Sequence, residues 1–143
     1  MNVALAVACD YAIIDQHGKL SVLGMFERIW VERFPVVHPR LHLVLRLKGR
    51  RNEIGNHPVQ IRLVDDLGRE ILRGDGAVQI GEPPAGVLEV EAGAVLAFDI
   101  PLEHAGTYTF EIAVDGHLEA TVPLMVSQIP APAAPAPPPG AAN

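Results

Sequence analysis

A single cysteine, Cys9, is found among 143 residues. No disulfide can therefore close within the chain, which fits a reducing, cytoplasmic setting. Serine is almost as scarce. Ser21 and Ser127 are the only two, and neither lies in the Gly-x-Ser-x-Gly elbow of a nucleophilic hydrolase. The chain also lacks a glycine-rich phosphate loop, a dinucleotide fingerprint, and the HxH or HExxH spacing of a metal site. It has no internal repeat and no apolar run long enough to cross a bilayer. The opening stretch MNVALAVAC has no Lys or Arg before Cys9 and is too short for a signal core, so it reads as a strand. Aromatic residues make up 5% of the chain, with one tryptophan, Trp30. The net charge is −6. Together these exclude bulk nucleic-acid affinity and leave little for stacking on single strands.

Positive charge is missing from half of the chain. All 11 Lys and Arg lie at or before Arg73, against eight acids there, a local net of +3. Beyond Arg73 stand nine acids and no Lys or Arg, a local net of −9. Either the halves interleave in the fold and cancel, or they form complementary surfaces for a partner or a second copy.

What is abundant is alternation of apolar and polar residues, the mark of half-buried strands. In LHLVLRLK, Leu41, Leu43, Leu45 and Leu47 share one face; Arg40, His42, Val44, Arg46 and Lys48 share the other. Val59, Ile61 and Leu63 form an inward set, as do Tyr108, Phe110, Ile112 and Val114. Leu118, Ala120, Val122, Leu124 and Val126 form another. Turn chemistry separates these runs: DQHGK at 15–19, DDLGRE at 65–70, and Asp115-Gly116, which suits a primed two-residue hairpin turn. No window has a helical period. The chain reads as an all-β, antiparallel two-sheet sandwich of eight or nine short strands over residues 1–127. Residues 128–143 form a Pro/Ala-rich tail read as disordered, with a PxxP spacing from Pro132 to Pro135.

The first two strands, VALAVACDYAII and LSVLGMF, are apolar on both faces. One face needs cover from a loop, the tail or another copy. Ala4, Ala6, Leu23 and Met25 are the candidate self-association surface, and a homo-oligomer is as expected as a monomer.

The two histidines at 38 and 42 invite a metal reading. On a strand, however, residues four apart are separated by roughly 13 Å, so one ion cannot join them. No metal ligand set and no cofactor is expected. Arg40, His42, Arg46 and Lys48 instead make a basic strand face, joined by Arg62 if the next strand pairs beside it. This is the candidate binding surface for an acidic partner or anionic ligand, weighed against a solvated face that only blunts aggregation. Asp10 is expected to pair with Arg28 or Arg46, and Tyr11 to lie in the core.

Three stretches, ACDYAIIDQHGKLSVLGMFERIW, FPVVHPRLHLVLRL and GTYTFEIAVDG followed by PLMV, resemble a family of short bacterial all-β proteins of unknown function. The likeness covers about Val3 to Val126. It implies a β-sandwich and no catalytic residues. HAGTYTFEI also resembles the penultimate strand of immunoglobulin-like sandwiches, with Tyr108 at their tyrosine corner. The expectation is a non-enzymatic, cytoplasmic protein-interaction or assembly module, with neither nucleic acid nor membrane as partner. Two alternatives stay open: a sandwich binding an anionic small molecule or glycan, and a hydrolase whose site is assembled from separate strands.

Overall fold

The computed structural model describes residues 1–130, so the Pro132–Pro135 spacing lies outside the described residues. The described residues form nine strands: β1 (Asn2–Ile14), β2 (Leu20–Met25), β3 (Arg28–Val31), β4 (Val36–Arg50), β5 (Gly55–Val64), β6 (Glu70–Ile80), β7 (Glu89–Leu102), β8 (Gly106–Val114) and β9 (His117–Gln128). They form two sheets, ordered β2-β1-β4-β7 and β3-β9-β8-β5-β6. The two-sheet, all-β expectation holds. Among the described residues, no helix is long and apolar enough to cross a membrane.

The core is the leucine face of β4 against the inward faces of β5, β8 and β9. Leu41, Leu43, Leu45 and Leu47 have no exposed surface, and neither do Ile61, Leu63, Phe110 and Ile112. One inward assignment is corrected. Leu118 is 61% exposed, because the β8–β9 register shifts between Ile112 and Ala113 and turns the start of β9 over. The tight turn is as expected: Asp115 and Gly116 both have positive φ, 52° and 80°.

Two other hairpins share one device. In Asp15-Gln16-His17-Gly18-Lys19 and in Asp65-Asp66-Leu67-Gly68-Arg69, the aspartate Oδ1 accepts the N–H groups two and four residues on. The glycine supplies the positive φ, 78° and 80°, that closes the loop. Tyr108 is buried, and its hydroxyl donates to the His104 carbonyl at 2.7 Å, a tyrosine-corner bond. Tyr108→Phe should cost about 1–2 kcal/mol, the usual loss for a buried hydrogen bond, measured by urea denaturation.

One pairing departs from the antiparallel expectation: β3 runs parallel to β9. Met125 N–H donates to the Glu27 carbonyl and Ile129 N–H to that of Val31, each at 2.7 Å. The next rung back would need an N–H from residue 123, which is proline. The ladder therefore stops there, and the chain crosses to the other sheet, where Phe26 N–H donates to the Ala8 carbonyl.

The two-sided apolarity of β1 and β2 also has a local cause. β1 pairs with β4 only as far as Cys9↔His42, and beyond that only with β2. The free hairpin lies across the outer face of the four-stranded sheet. Leu20 of β2 sits so close over Gly93 of β7 that a Cβ there would stand 3.1 Å from it. These strands occupy opposite edges of the sheet, roughly 14 Å apart if it lay open. Beneath this strap Cys9, Ala12 and Val44 form a second buried cluster, flanked by Val7, Leu20, Val22 and Val95.

Candidate functional site

The strap divides the expected basic face. Val44, at its middle, is fully buried. Arg46 and Lys48 lie on one side, opposite Gly93 and Glu91 of β7. Arg40 and His42 lie on the other side, beside Tyr11. Arg62 does not join them. At Arg51–Glu53 a 3-10 turn carries the chain into the other sheet, so β5 never pairs with β4. There Arg62 Nε sits between Glu70 and Glu111, at 3.4 and 3.8 Å. The acidic and basic halves of the chain interleave, as Lys48↔Glu91, Arg50↔Glu89 and Arg62↔Glu111 show. Arg51, just past the end of β4, holds the 81–88 loop. Its guanidinium donates to the carbonyls of Pro84 and Val87.

The apolar candidates also separate. Ala4 and Ala6 lie on the part of β1 that runs beside β4, Ala4 exposed at a register shift and Ala6 half-buried opposite Leu45. Leu23 and Met25 are on the exposed face of the strap, 63% and 67% exposed. Tyr11 is opposite Leu23 in the ladder and is 51% exposed. It is therefore a surface residue rather than part of the core, with its ring 5.4 Å from that of His42.

Three depressions of about 320, 410 and 320 Å³ meet at His38. Asp10, Arg28 and Trp30 border the first, Tyr11, Arg40 and His42 the second, Arg33 and Val37 the third. The local backbone is built for this convergence. A β-bulge interrupts the β4–β7 register between His38 and Leu41, with Arg40 at φ +48°, an uncommon conformation for a side chain of this size. Asp99 Oδ1 accepts the Arg40 N–H at 2.9 Å, and His42 Nδ1–H donates to the Arg40 carbonyl. The bulge re-aims His38, Arg40 and His42 toward the rim. Gly24, at φ +68°, lies against the Asp10 carboxylate: a Cβ there would stand 2.5 Å from Oδ2. Only glycine fits both constraints.

His38 is half-buried against Phe26, ring centroids 5.7 Å apart. Burial lowers its pKa, and the nearby Asp10 carboxylate works in the opposite direction. Among the described residues, neither its ring nor Asp10 has a hydrogen-bond partner or an ion pair. The expected Asp10–arginine pair does not form. Arg28 stacks over Trp30, 5.4 Å from the ring centroid, and donates to Ser127 Oγ. Cys9 is buried and its thiol pKa is raised by that burial, the setting of an inert thiol. The sequence marks Arg40 and His42, but not Asp10, His38 or Trp30, as parts of one surface. The signal was present in the short stretches Cys9-Asp10-Tyr11, Gly24-Met25-Phe26 and His38-Pro39, far apart in the chain and adjacent in space.

A second cluster joins Asp65, Asp66 and His104, whose ligand atoms lie within 4.8 Å of one another. Its chemistry is accounted for by the hairpin. Both Asp65 oxygens are engaged, by the N–H groups of Leu67 and Arg69, the Arg69 guanidinium and His104. Burial alone would raise the Asp65 pKa, but these donors together hold it lowered. The Arg69 charge beside it disfavours a cation.

His57 carries a pH dependence. Its two ring nitrogens face two acceptors, the Glu53 carbonyl and Asp115 Oδ2, and both can donate only in the imidazolium. The Glu53 carbonyl first, then Asp115, raises the pKa. A raised folded-state pKa stabilises the fold fully below the unfolded value of about 6.5 and is lost as pH rises through the folded value. His57→Gln should therefore lower the melting temperature more at about pH 5.5 than at about pH 9. Equal losses at both pH values would contradict the imidazolium assignment.

No curated protein matches this chain. Its residues 4–127 match the family described as a family of unknown function, DUF6941, the same span that forms the sandwich and brings the His38 surface together. With that match covering most of its length, the chain belongs to the DUF6941 family.

Proposed function

We propose that this domain is a non-enzymatic protein-interaction module that docks a protein partner on the surface around His38. The observation that carries this reading is a run of exposed large side chains. Ile13, Tyr11, Leu23, Met25, Trp30 and Val37 are each between 45% and 67% exposed. They are linked by the Tyr11↔Leu23 cross-strand pair and by the depressions that meet at His38. Scattered single apolar residues are ordinary on a surface; a contiguous run with a polar rim marks a contact site. The rim carries both signs, Arg28, Arg33 and Arg40 against Asp10 and Glu32. A mixed rim suits a protein surface better than an anionic small molecule. The inert setting of Cys9 supports the non-enzymatic reading, and a lone unbridged cysteine supports a cytoplasmic location.

Salt separates the two candidate surfaces. At about 1 M salt the Debye length is about 3 Å, so a contact through Arg46 and Lys48 is screened and an apolar contact at Met25 and Trp30 is not. Affinity capture at low and high salt should retain the same partner in both. Loss at high salt would move the contact to the basic strand.

The small-ligand reading has one observation in its favour, the unpartnered His38 ring beside Asp10 and Arg28. Titration of His38 by NMR against sugar and phosphate probes tests it. Shifts at His38 and Trp30 without any protein partner would favour it.

A further inference from the structure

The strap leaves an edge of β1 unpaired. β2 pairs with β1 only from Cys9 onward. The Phe26 N–H reaches Ala8, and among the described residues no strand follows beside Asn2–Val7. Two residues back from Ala8, on the same side of the strand, the N–H and C=O of Ala6 face that open edge. Beside it runs a slot of about 420 Å³, lined by Ala6 and Ala8 on one sheet and by Thr121 and Pro123 on the other.

The other edges are guarded. β7 carries Glu89, Glu91 and Asp99, and β6 carries Glu70, Arg73 and Asp75. The free part of β9 has Glu119 and Pro123, and β2 is broken by Gly24 at positive φ. Charges, prolines and kinks of this kind prevent edge pairing. Asn2–Val7 has no charge, proline or glycine. Its one irregularity is the β4 register shift between Val3 and Leu5.

We propose that Asn2–Val7 pairs antiparallel with the same segment of a second copy, continuing the four-stranded sheet across a two-fold axis. Three features select a second copy. A two-fold axis makes the pairing antiparallel automatically, the direction of every ladder in this sheet. The segment is uncharged, so two chains of net charge −6 meet there without repulsion. The flanking charges are also complementary. Lys48 lies opposite Asn2 at one end, and Glu27 follows Phe26 at the Ala8 end. Antiparallel pairing sets the Lys48 end of each copy beside the Glu27 end of the other, twice over. Ala4 and Leu5, both exposed, add apolar contact.

Sedimentation velocity of the full chain tests this proposal. The expected species has twice the 15.3 kDa chain mass. Ala4→Lys, at an exposed position, should raise the dimer dissociation constant by about tenfold or more. Lys48→Glu should weaken the dimer, and adding Glu27→Lys should restore it, a reversal that a merely unfolded variant cannot mimic. Amide exchange at Ala6 should slow as protein concentration rises. A wild-type monomer throughout the concentration range overturns the proposal. So does a folded Ala4→Lys dimer of unchanged affinity, or Ala6 exchange independent of concentration.

Discussion

Met25→Glu combined with Trp30→Ala should lower affinity for the docked partner at least about thirtyfold, the equivalent of about 2 kcal/mol for a contact centred on an aromatic anchor. Both side chains are more than half exposed, so the fold should survive within about 0.5–1 kcal/mol. Trp30 is held ready for contact: Arg28 stacks on one face of the indole region and is itself tied to Ser127, which reduces the ordering cost of binding. Arg62→Glu on β5, three strands from β3 in the five-stranded sheet, is the control. It breaks the contacts with Glu70 and Glu111 but is far from the patch, so partner affinity should not change. Isothermal titration with the captured partner reads both variants. Equal losses in the two would assign the effect to stability rather than to the surface.

Val44→Asp should be the most damaging single change on the outer face of the four-stranded sheet, destabilising the domain by about 3–5 kcal/mol. By alternation alone, Val44 shares a face with Arg40, His42, Arg46 and Lys48, where an aspartate would find cationic neighbours and little penalty. In the structure it is fully buried beneath the strap with Cys9 and Ala12. A carboxylate there is enclosed by Cys9, Ala12, Leu20, Val22 and Val95 and loses its water. Hydrogen exchange in residues 10–25 should accelerate ahead of global unfolding, because the strap is held by this cluster and not by a second ladder. A mild effect with unchanged exchange in 10–25 would mean that the strap does not rest on Val44.

The inward faces of β4, β5 and β8 were legible because each alternates without interruption between turns that carry their own chemistry. The second half of β1 was not. Its apolar residues point to two environments, and nothing local distinguishes a strand covered by a neighbouring sheet from one that folds back over its own sheet. The same strap made Val44 an apolar residue in a basic row with no evident reason, split that row, and turned Tyr11 outward. Arg62 was misplaced because pairing of consecutive strands is the default, and the crossing at Arg51–Glu53 leaves little trace in sequence. Leu118 failed on one β-bulge, which shifts a face without changing the pattern. The parallel β3–β9 pair was not anticipated, although the residue that ends it, Pro123, stands openly in the sequence. The His38 surface depends on all of these departures together, which is why its residues could be named one by one but not assembled.

A photo-reactive side chain at Leu23, with a second preparation carrying it at Arg73 on the opposite sheet, shows whether the His38 surface docks a protein. Leu23 is at the middle of the exposed strap face, and Arg73 is on β6 of the other sheet. Irradiation in native lysate should give one discrete protein adduct from Leu23, lost in the Met25→Glu, Trp30→Ala background, and none from Arg73. No adduct from Leu23, or the same adducts from both positions, would contradict the assignment of the His38 surface as a protein-docking site.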